Sequence, residues 1–429
     1  MALIVQKFGG TSVGTLERIG RAAERVAATA RAGHRVVVVV SAMAGETNRL
    51  LKLAHDIAEV PDLAEVDVLI ATGEQASAAM MAMQLIARGH RARSFLGHQI
   101  AIHTNSSYGR AWIEAIDARP VLDSLDRGEI VIVAGFQGID RGERITTLGR
   151  GGSDTTAVAL AAALDADFCD IFTDVDGVYT SDPNVVPDAR RIPHLTHEEM
   201  LEMASLGAKV LAERSVEYAM RYNVSVRVLH AFQDGEGTLV DGREDEMEQR
   251  TVTAVTCQRD QAKIAFRGVP DRPGVAASIF APLSEAGVVV DMIVQNVSEH
   301  GLTDLTFTVP RVDLKRLLPV IEDVANGVQA RQVDHDSTIA KVSVIGVGMR
   351  THAGVAARMF QALSAVGVNM QMISTSEIKI SCVIEDKFSE LAVRVLHEAF
   401  ELGKKQASKA PARASGAKKK SASRTRGRA

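Results

Sequence analysis

Lys7 ends an apolar run and is followed at once by Phe8-Gly9-Gly10-Thr11-Ser12. Glycine turns between strand and helix let backbone N–H groups approach a phosphate, and a helix start adds unpaired donors. A second segment of this kind, "TTLGRGGSDTTA" (146–157), sets Arg150, Gly151, Gly152, Ser153 and Asp154 side by side. With the Lys7 ammonium between them, two such turns would gather positive charge around a transferring phosphoryl group. That chemistry asks mainly for positioning and charge neutralisation, so its lysine can arrive from any direction. Further polar clusters follow other apolar runs: Ser41 to Asn48, Thr72-Gly73-Glu74, and "FTDVDGVYTSDP" (172–183).

Competing chemistries fall away on inspection. The chain has no G-x-x-x-x-G-K-[ST], no H-E-x-x-H and no G-x-S-x-G. "GVGMRT" (346–351) lacks the third glycine of a dinucleotide fingerprint, and "DVDG" (174–177) would place Val185 where a calcium loop needs a bidentate acid. Hydrolase, dehydrogenase and P-loop readings are excluded on these grounds. Cys169, Cys257 and Cys382 lie far apart without disulfide or zinc spacing.

The elements that must position these residues are legible as alternation. "ALIVQKF" (2–8), "RVVVVVSA" (35–42), "DVLIAT" (67–72) and "EIVIVAGF" (129–136) read as strands, and Leu16, Ile19, Ala23, Val26 and Ala30 recur at helical spacing. Continuous apolar strands between amphipathic helices predict an α/β fold with a largely parallel sheet sandwiched by helices. Ligands should collect at the carboxyl ends of its strands.

The 429 residues are 46% hydrophobic, with a formal net charge of −4. That balance hides a basic tail: residues 403–429 hold ten Lys/Arg and no acid, so the remaining chain carries 39 basic against 53 acidic side chains. A low-complexity tail of this kind is expected to be solvated and disordered, with nucleic acid an unlikely partner. A strand pattern from the first residues and no apolar run of membrane length predict a cytoplasmic protein.

The segments "VQKFGGTSVG", "VVVSAMAGETN", "TGEQ", "TTLGRGGSDTTAVALAAAL", "DVDGVYTSDP" and "GAKVL" (207–211), in that order, resemble the aspartate kinases of the amino-acid kinase family. The resemblance covers nearly all of the chain except the tail. It implies ATP-dependent phosphorylation of the side-chain carboxylate of L-aspartate to 4-phospho-L-aspartate, with Mg²⁺ on the nucleotide and no protein metal ligand. That is the first step toward lysine, threonine and methionine. The acceptor is already ionised at neutral pH, so no general base is required. Lys7 and Lys209 would supply the cations, and Lys7, Asp154 and Lys209 the catalytic groups. Gly9, Gly10, Thr11 and Ser41 would contact ATP, with Thr173, Asp174, Tyr179 and Asp182 at its adenine and ribose. Relatives often carry Arg after the "DP" pair, where Asn184 stands here. Arg150 offers a fork for the α-carboxylate of aspartate, Glu74 a charge for its ammonium, and Thr47, Gly151, Gly152 and Ser153 further contacts. Asp154 either orients Lys7 or the amine, or caps a helix beginning at "SDTTAVALAAALDA". Sister kinases act on acetylglutamate, glutamate, carbamate or UMP with differently written loops. A degenerate amino-acid sensor should have lost Lys7, Glu74, Arg150 or Asp154, and all four are present.

The second half repeats itself. "GVAASIFAPLSEAGVVVDMI" (274–293) and "GVAARMFQALSAVGVNMQMI" (354–373) share eleven of twenty positions without a gap, each between strand patterns. A duplicated βαββ unit is the ferredoxin-like pattern and resembles the paired ACT domains of aspartate kinases. Expected boundaries are 1–245 for the kinase, 246–262 for a linker whose strand (251–259) joins the second unit, 263–335 and 336–402 for the two units, and 403–429 for the tail. Asp271, Gly274, Val275, Met292, Gln295, Asn296 and Ser298 in the first unit would bind lysine, threonine or both. Asn369, Ser374, Thr375, Ser376 and Glu377 are their counterparts in the second. The resemblance further implies a homodimer or higher oligomer through these units, or partnership with a shorter regulatory chain starting near Met247.

Overall fold

A computed structural model describes residues 1–208, 210–243, 251–296 and 299–404. Lys209, Met247, Ser298 and the tail from 405 onward lie outside the described residues.

The first half runs β1 (Leu3–Phe8), α1 (Leu16–Arg31), β2 (Arg35–Val40), α2 (Glu46–Ile57), α3 (Leu63–Ala87) and β3 (Ala92–Phe95). Next come β4 (Ile102–Thr104), β5 (Ile113–Ile116), α4 (Arg119–Asp126), β6 (Ile130–Ala134), β7 (Gln137–Ile139) and β8 (Ile145–Thr147). It closes with α5 (Gly152–Ala163), β9 (Phe168–Thr173), β10 (His194–Thr196), α6 (His197–Ser205), α7 (Glu213–Tyr222), β11 (Val226–His230) and β12 (Thr238–Asp241). Eight strands form one sheet in the order β10-β12-β11-β9-β1-β2-β6-β3, parallel except where β11 meets β12. Alternate residues of each central strand enter opposite cores. Val37, Val39, Val131 and Val133 pack toward α5 and α7, whereas Val36, Val38, Val40 and Ile132 pack toward α1 and α3. Burial on both faces is why these strands read as unbroken valine and isoleucine. Strand order reverses beside β1, which pairs with β2 on one side and β9 on the other, so a crevice opens where Lys7 leaves the sheet.

Three expectations are corrected. "DVLIAT" (67–72) is not a strand but the interior of the 25-residue helix α3. Asp67, Ile70, Ala71, Gly73, Glu74, Ser77 and Ala78 are all buried along it. The exposed face of α3 carries the apolar Val68, Met83 and Ile86, so the helix shows no amphipathic stripe, and over six residues it cannot be told from a buried strand. The "GRGGSD" turn does not follow a strand of the main sheet either. It leaves β8, which belongs to a small sheet of order β5-β4-β7-β8. Finally, the first helix start is not an open set of donors behind Gly10. α1 begins at Leu16 and is capped by Thr15, whose hydroxyl accepts from the Arg18 N–H at 3.2 Å.

The second half carries two βαββ units, each extended by a further helix. The chain continues through β13 (Ala254–Gln258), β14 (Gln261–Pro270), α8 (Val275–Glu285), β15 (Ile293–Gln295), β16 (Leu302–Pro310), α9 (Leu314–Gly327) and β17 (Gln332–Asp336). It ends with β18 (Ile339–Ile345), α10 (Val355–Ala365), β19 (Met372–Thr375), β20 (Lys379–Glu385) and α11 (Ser389–Ala399). The sheets are β15-β16-β14-β17 and β13-β18-β20-β19. β13 therefore occupies in the second sheet the edge that β17 fills in the first, pairing antiparallel with β18. The two units meet through Met292, Ile339, Met372 and Val383.

The second unit is also docked on the first half of the chain. Glu199 of α6 accepts from Thr253 Oγ1 (2.7 Å) and the Val347 N–H (3.2 Å). Glu202 pairs with Lys379 at 2.8 Å. Val186, from the loop after β9, is buried in the same core as Val252, Val255, Leu396 and Leu402. Beside it Thr180 Oγ1 lies 2.9 Å from His397 Nε2, and the Val255 N–H donates to the Thr180 carbonyl at 2.8 Å. Among the described residues no helix is long and apolar enough to cross a membrane.

Candidate active site

A cleft of about 350 Å³ opens at the carboxyl edge of the sheet, lined by Lys7, Gly10, Ser41 to Gly45, Thr47, Asn48, Glu74, Phe136 and Gly149 to Asp154. Each wall is set by close approach. A Cβ on Gly10 would come within 2.9 Å of the Ala42 carbonyl, so only glycine lets the first turn touch the second. Gly73 does the same for α3: a Cβ there would meet that of Ala42 at 2.8 Å. That proximity brings the Glu74 carboxylate to the Ala42 N–H at 3.0 Å.

Lys7 Nζ stands 2.5 Å from Asp154 Oδ1, both side chains about one-tenth exposed. Asp154 is the third residue of α5, while the cap position belongs to Gly151, in left-handed conformation (φ 74°) and without a side-chain cap. The capping alternative for Asp154 is thus set aside, and it is paired with Lys7. The α5 start, like that of α2 behind Gly45, brings to this cleft N–H groups that no side chain caps. Its dipole and the Lys7 ammonium together suit a polyanion.

Glu74 is 3% exposed, and its Oε2 has no hydrogen-bond partner among the described residues. Burial pushes its carboxyl up to about 7 against the pull of the Ala42 N–H. A buried, half-satisfied carboxylate facing a cleft suits a cationic ligand group. Arg150 is exposed at the mouth. The cleft thus sets a carboxylate and a guanidinium near the Lys7 ammonium, an arrangement for a zwitterion beside a phosphate.

Lys7, Gly10, Ser41, Thr47, Glu74, Arg150, Gly151, Gly152, Ser153 and Asp154 are brought together here. Gly9 is adjacent, 3.3 Å from Lys7 Nζ when given a Cβ. Thr11 is exposed, its carbonyl held by Arg18 at 2.6 Å. Thr173, the last residue of β9, and Asp174, Tyr179, Asp182 and Asn184 on the loop after it are outside the cleft lining. There Thr173 Oγ1 donates to Asp174 (3.1 Å), Tyr179 to Asp176 (2.7 Å), and Asn184 to Asp182 through both its N–H (2.9 Å) and its amide (3.0 Å). Asn184 therefore closes a local turn where an arginine would project.

Lining residues that no expectation assigned include Asn48 and Phe136. Asn48 lies one position past Thr47 in a quoted cluster, so its polarity was a usable signal. Phe136 gave none: it is a non-glycine residue at φ 70°, held by its N–H to Thr156 Oγ1 at 3.1 Å. Such conformations are costly and gather at functional sites.

In the first βαββ unit, Asp271 and Gly274 form the turn before α8, which Gly274 caps at φ 93° with no side-chain bond. Gln295, the last residue of β15, and Asn296 after it are exposed, while Val275 and Met292 turn their side chains into apolar cores. In the second unit Asn369, Thr375, Ser376 and Glu377 are exposed and Ser374 half-buried, with Glu377 paired to Arg350 at 3.3 Å.

Fold and cleft together define a small-molecule kinase with an appended regulatory half. Residues 2–230 match the amino acid kinase family, and residues 264–326 and 342–400 each match an ACT domain. The aspartokinase of Pseudomonas aeruginosa is 58% identical over 404 residues, 94% of this chain and 98% of that one. The crystal structure of Escherichia coli aspartokinase III with aspartate and ADP (R-state) superposes with a TM-score of 0.77 at 29% identity, covering 92% of this chain and 99% of the other. The same enzyme with lysine and aspartate (T-state) gives 0.72 at 28%, covering 93% and 99%. The chain belongs to the amino acid kinase family and, within it, to the aspartokinases with paired ACT domains. It is a nucleotide-using phosphotransferase with a carboxyl acceptor, regulated through its ACT domains.

Proposed function

We propose that this enzyme transfers the γ-phosphoryl group of ATP to the side-chain carboxylate of L-aspartate, giving 4-phospho-L-aspartate at the head of lysine, threonine and methionine synthesis in the cytoplasm. The Lys7–Asp154 pair at the α5 start, with Glu74 and Arg150 in the same cleft, carries the reading. Lys7 holds the γ-phosphate, and Asp154 holds Lys7 in place. The turn at Gly9-Gly10 and the N–H groups from Gly151 to Ser153 cradle the phosphates. Arg150 grips the α-carboxylate of aspartate and Glu74 its ammonium, while Ser41 and Thr47 add hydroxyls. The loop with Thr173, Asp174, Tyr179, Asp182 and Asn184 takes the nucleoside, and Lys209 is a second phosphate cation. An anionic nucleophile is thereby brought against a polyanion by fixed charges rather than by a base.

Among the described residues no three His, Cys, Asp or Glu side chains form a metal cluster. Mg²⁺, which would spread the phosphate charge when bound, is read as riding on nucleotide oxygens and water, as its coordination habits allow. Trapping the acyl phosphate with hydroxylamine, given ATP, Mg²⁺ and either aspartate or acetylglutamate, tests the assignment. Signal with aspartate alone is expected; signal with acetylglutamate alone would overturn it.

Glu74 gives the reading a pH signature. Its carboxyl, raised to about 7, is protonated below that pH and then offers no charge to the substrate ammonium. Between pH 8 and pH 6, kcat/KM for aspartate should fall about tenfold. Glu74→Gln should lower it at pH 8 and flatten this limb. In the unfolded chain the same group ionises near 4.5. The folded state therefore binds the extra proton between there and 7, and the contribution of Glu74 to stability falls as pH rises through that window.

Lysine, threonine or both are read as inhibitors, bound near Asp271, Gly274, Gln295 and Asn296, with Ser298 of the same stretch outside the described residues. The exposed, uncapped α8 start supports a carboxylate there. Coupling to the kinase half is of order 1–3 kcal/mol in such systems. Gln295→Ala should raise the half-inhibitory effector concentration about tenfold in an inhibition titration; unchanged sensitivity would move the site elsewhere. The kinase half 1–245, the units 263–335 and 336–402, and association into a dimer or larger assembly through the ACT domains complete the reading.

A further inference from the structure

Arg150 sits between Gly149 (φ 75°) and Gly151 (φ 74°), so the turn that carries it is flanked by two adaptable joints. What holds such a turn is the pairing of the backbone just before it. The Thr147 N–H and hydroxyl both donate to the buried Asp67 carboxylate, at 2.8 and 2.6 Å. Its carbonyl accepts from Ala111 (2.8 Å), and the Leu148 N–H donates to the Phe136 carbonyl (2.9 Å). The Leu148 carbonyl, the last before the first glycine joint, accepts from Arg214 Nη1 at 2.6 Å.

Arg214 is the second residue of α7 and is absent from the cleft lining. Its Nη2 donates to the Ala111 carbonyl at 2.9 Å, and its guanidinium lies 4.4 Å from the centre of the Trp112 ring. One planar fork thus ties two segments that converge under the turn. The same helix start abuts the turn directly: a Cβ on Gly151 would come within 2.2 Å of that of Ala212. A lysine cannot reproduce this, because a single ammonium lacks the fork that reaches two carbonyls in a fixed plane.

We propose that Arg214 is a positioning residue for the acceptor: by fixing the Leu148 carbonyl it sets the direction in which Arg150 meets the carboxylate of the amino-acid substrate. The proposal rests on the reading of Arg150 as the carboxylate-binding group. It separates from a general stabilising role because it predicts a selective effect. Loosening the turn misdirects Arg150 while Lys7, on β1, keeps its place.

The test compares Arg214→Ala, Arg214→Lys and Arg150→Ala in the full chain, measuring kcat, the KM values for aspartate and ATP, and the thermal midpoint. Arg214→Ala is expected to raise KM for aspartate about tenfold or more, the cost of losing charge-assisted hydrogen bonds, while KM for ATP stays within about twofold. Arg214→Lys, which keeps charge and stem, should show the same selectivity and guards against a variant that does not fold. Millimolar guanidinium should recover part of the aspartate affinity of Arg214→Ala but not of Arg214→Lys. A lowered thermal midpoint with both KM values unchanged, or raised equally, would overturn the proposal if Arg150→Ala still raises KM for aspartate. If Arg150→Ala leaves that KM alone, the carboxylate reading itself fails and the proposal falls with it.

Discussion

Lys7→Ala should abolish acyl phosphate formation, lowering kcat by about 10²–10³ or more as measured by hydroxylamine trapping. Removing one preorganised donor from a developing oxyanion costs about that much in acyl-transfer enzymes. Here the loss is compounded, because Lys7 is also the partner of Asp154, 2.5 Å away and 9% exposed. Truncating one member of a mostly buried ion pair strands the other charge. The stranded carboxylate would stand near the incoming phosphates with nothing to neutralise it. Lys7→Ala/Asp154→Asn should therefore regain some nucleotide affinity over Lys7→Ala without regaining turnover. Equal turnover in wild type and Lys7→Ala would leave the phosphate cation to be sought elsewhere in the cleft.

Arg150→Ala should raise KM for aspartate by about 30- to 100-fold, the scale of a charge-assisted hydrogen bond to a carboxylate, with a smaller change in kcat. Arg150 is exposed at the mouth and built on a glycine-flanked turn, so its removal leaves no buried group unsatisfied. The thermal midpoint should then stay close to that of the wild type. Steady-state kinetics with each substrate varied in turn separates the outcomes. A rise confined to KM for ATP would assign Arg150 to the nucleotide instead.

Lys7, Arg150 and Asp154 could be read from the string because glycines and ionisable groups mark phosphate turns through local chemistry. The burial of Glu74 could not. It depends on α3 crossing beside Ala42, a contact set by Gly73, and the apolar stretch before it carries no period to distinguish helix from strand. The route of "GRGGSD" out of a small sheet was hidden for a related reason: β7 and β8 have three residues each, too few for alternation to register. Phe136 adopts a backbone conformation that its own side chain disfavours, so only tertiary packing specifies it. The duplicated half was legible because the repeat doubles the signal. Pairing of β13 with β18, across more than eighty residues, was suggested by resemblance rather than by any local pattern.

The loop after β9 has a double allegiance. Its start lies beside the kinase sheet, yet Val186 is buried among Val252, Val255 and Leu402, and Thr180 reaches His397. A chimera that exchanges regulatory halves at the junction near residue 250 would tear this seam, baring Val186 to water and leaving His397 facing a foreign hydroxyl or none. Grafting between relatives has to carry residues 178–190 along with the transplanted half, although they sit about sixty to seventy positions upstream of the apparent seam.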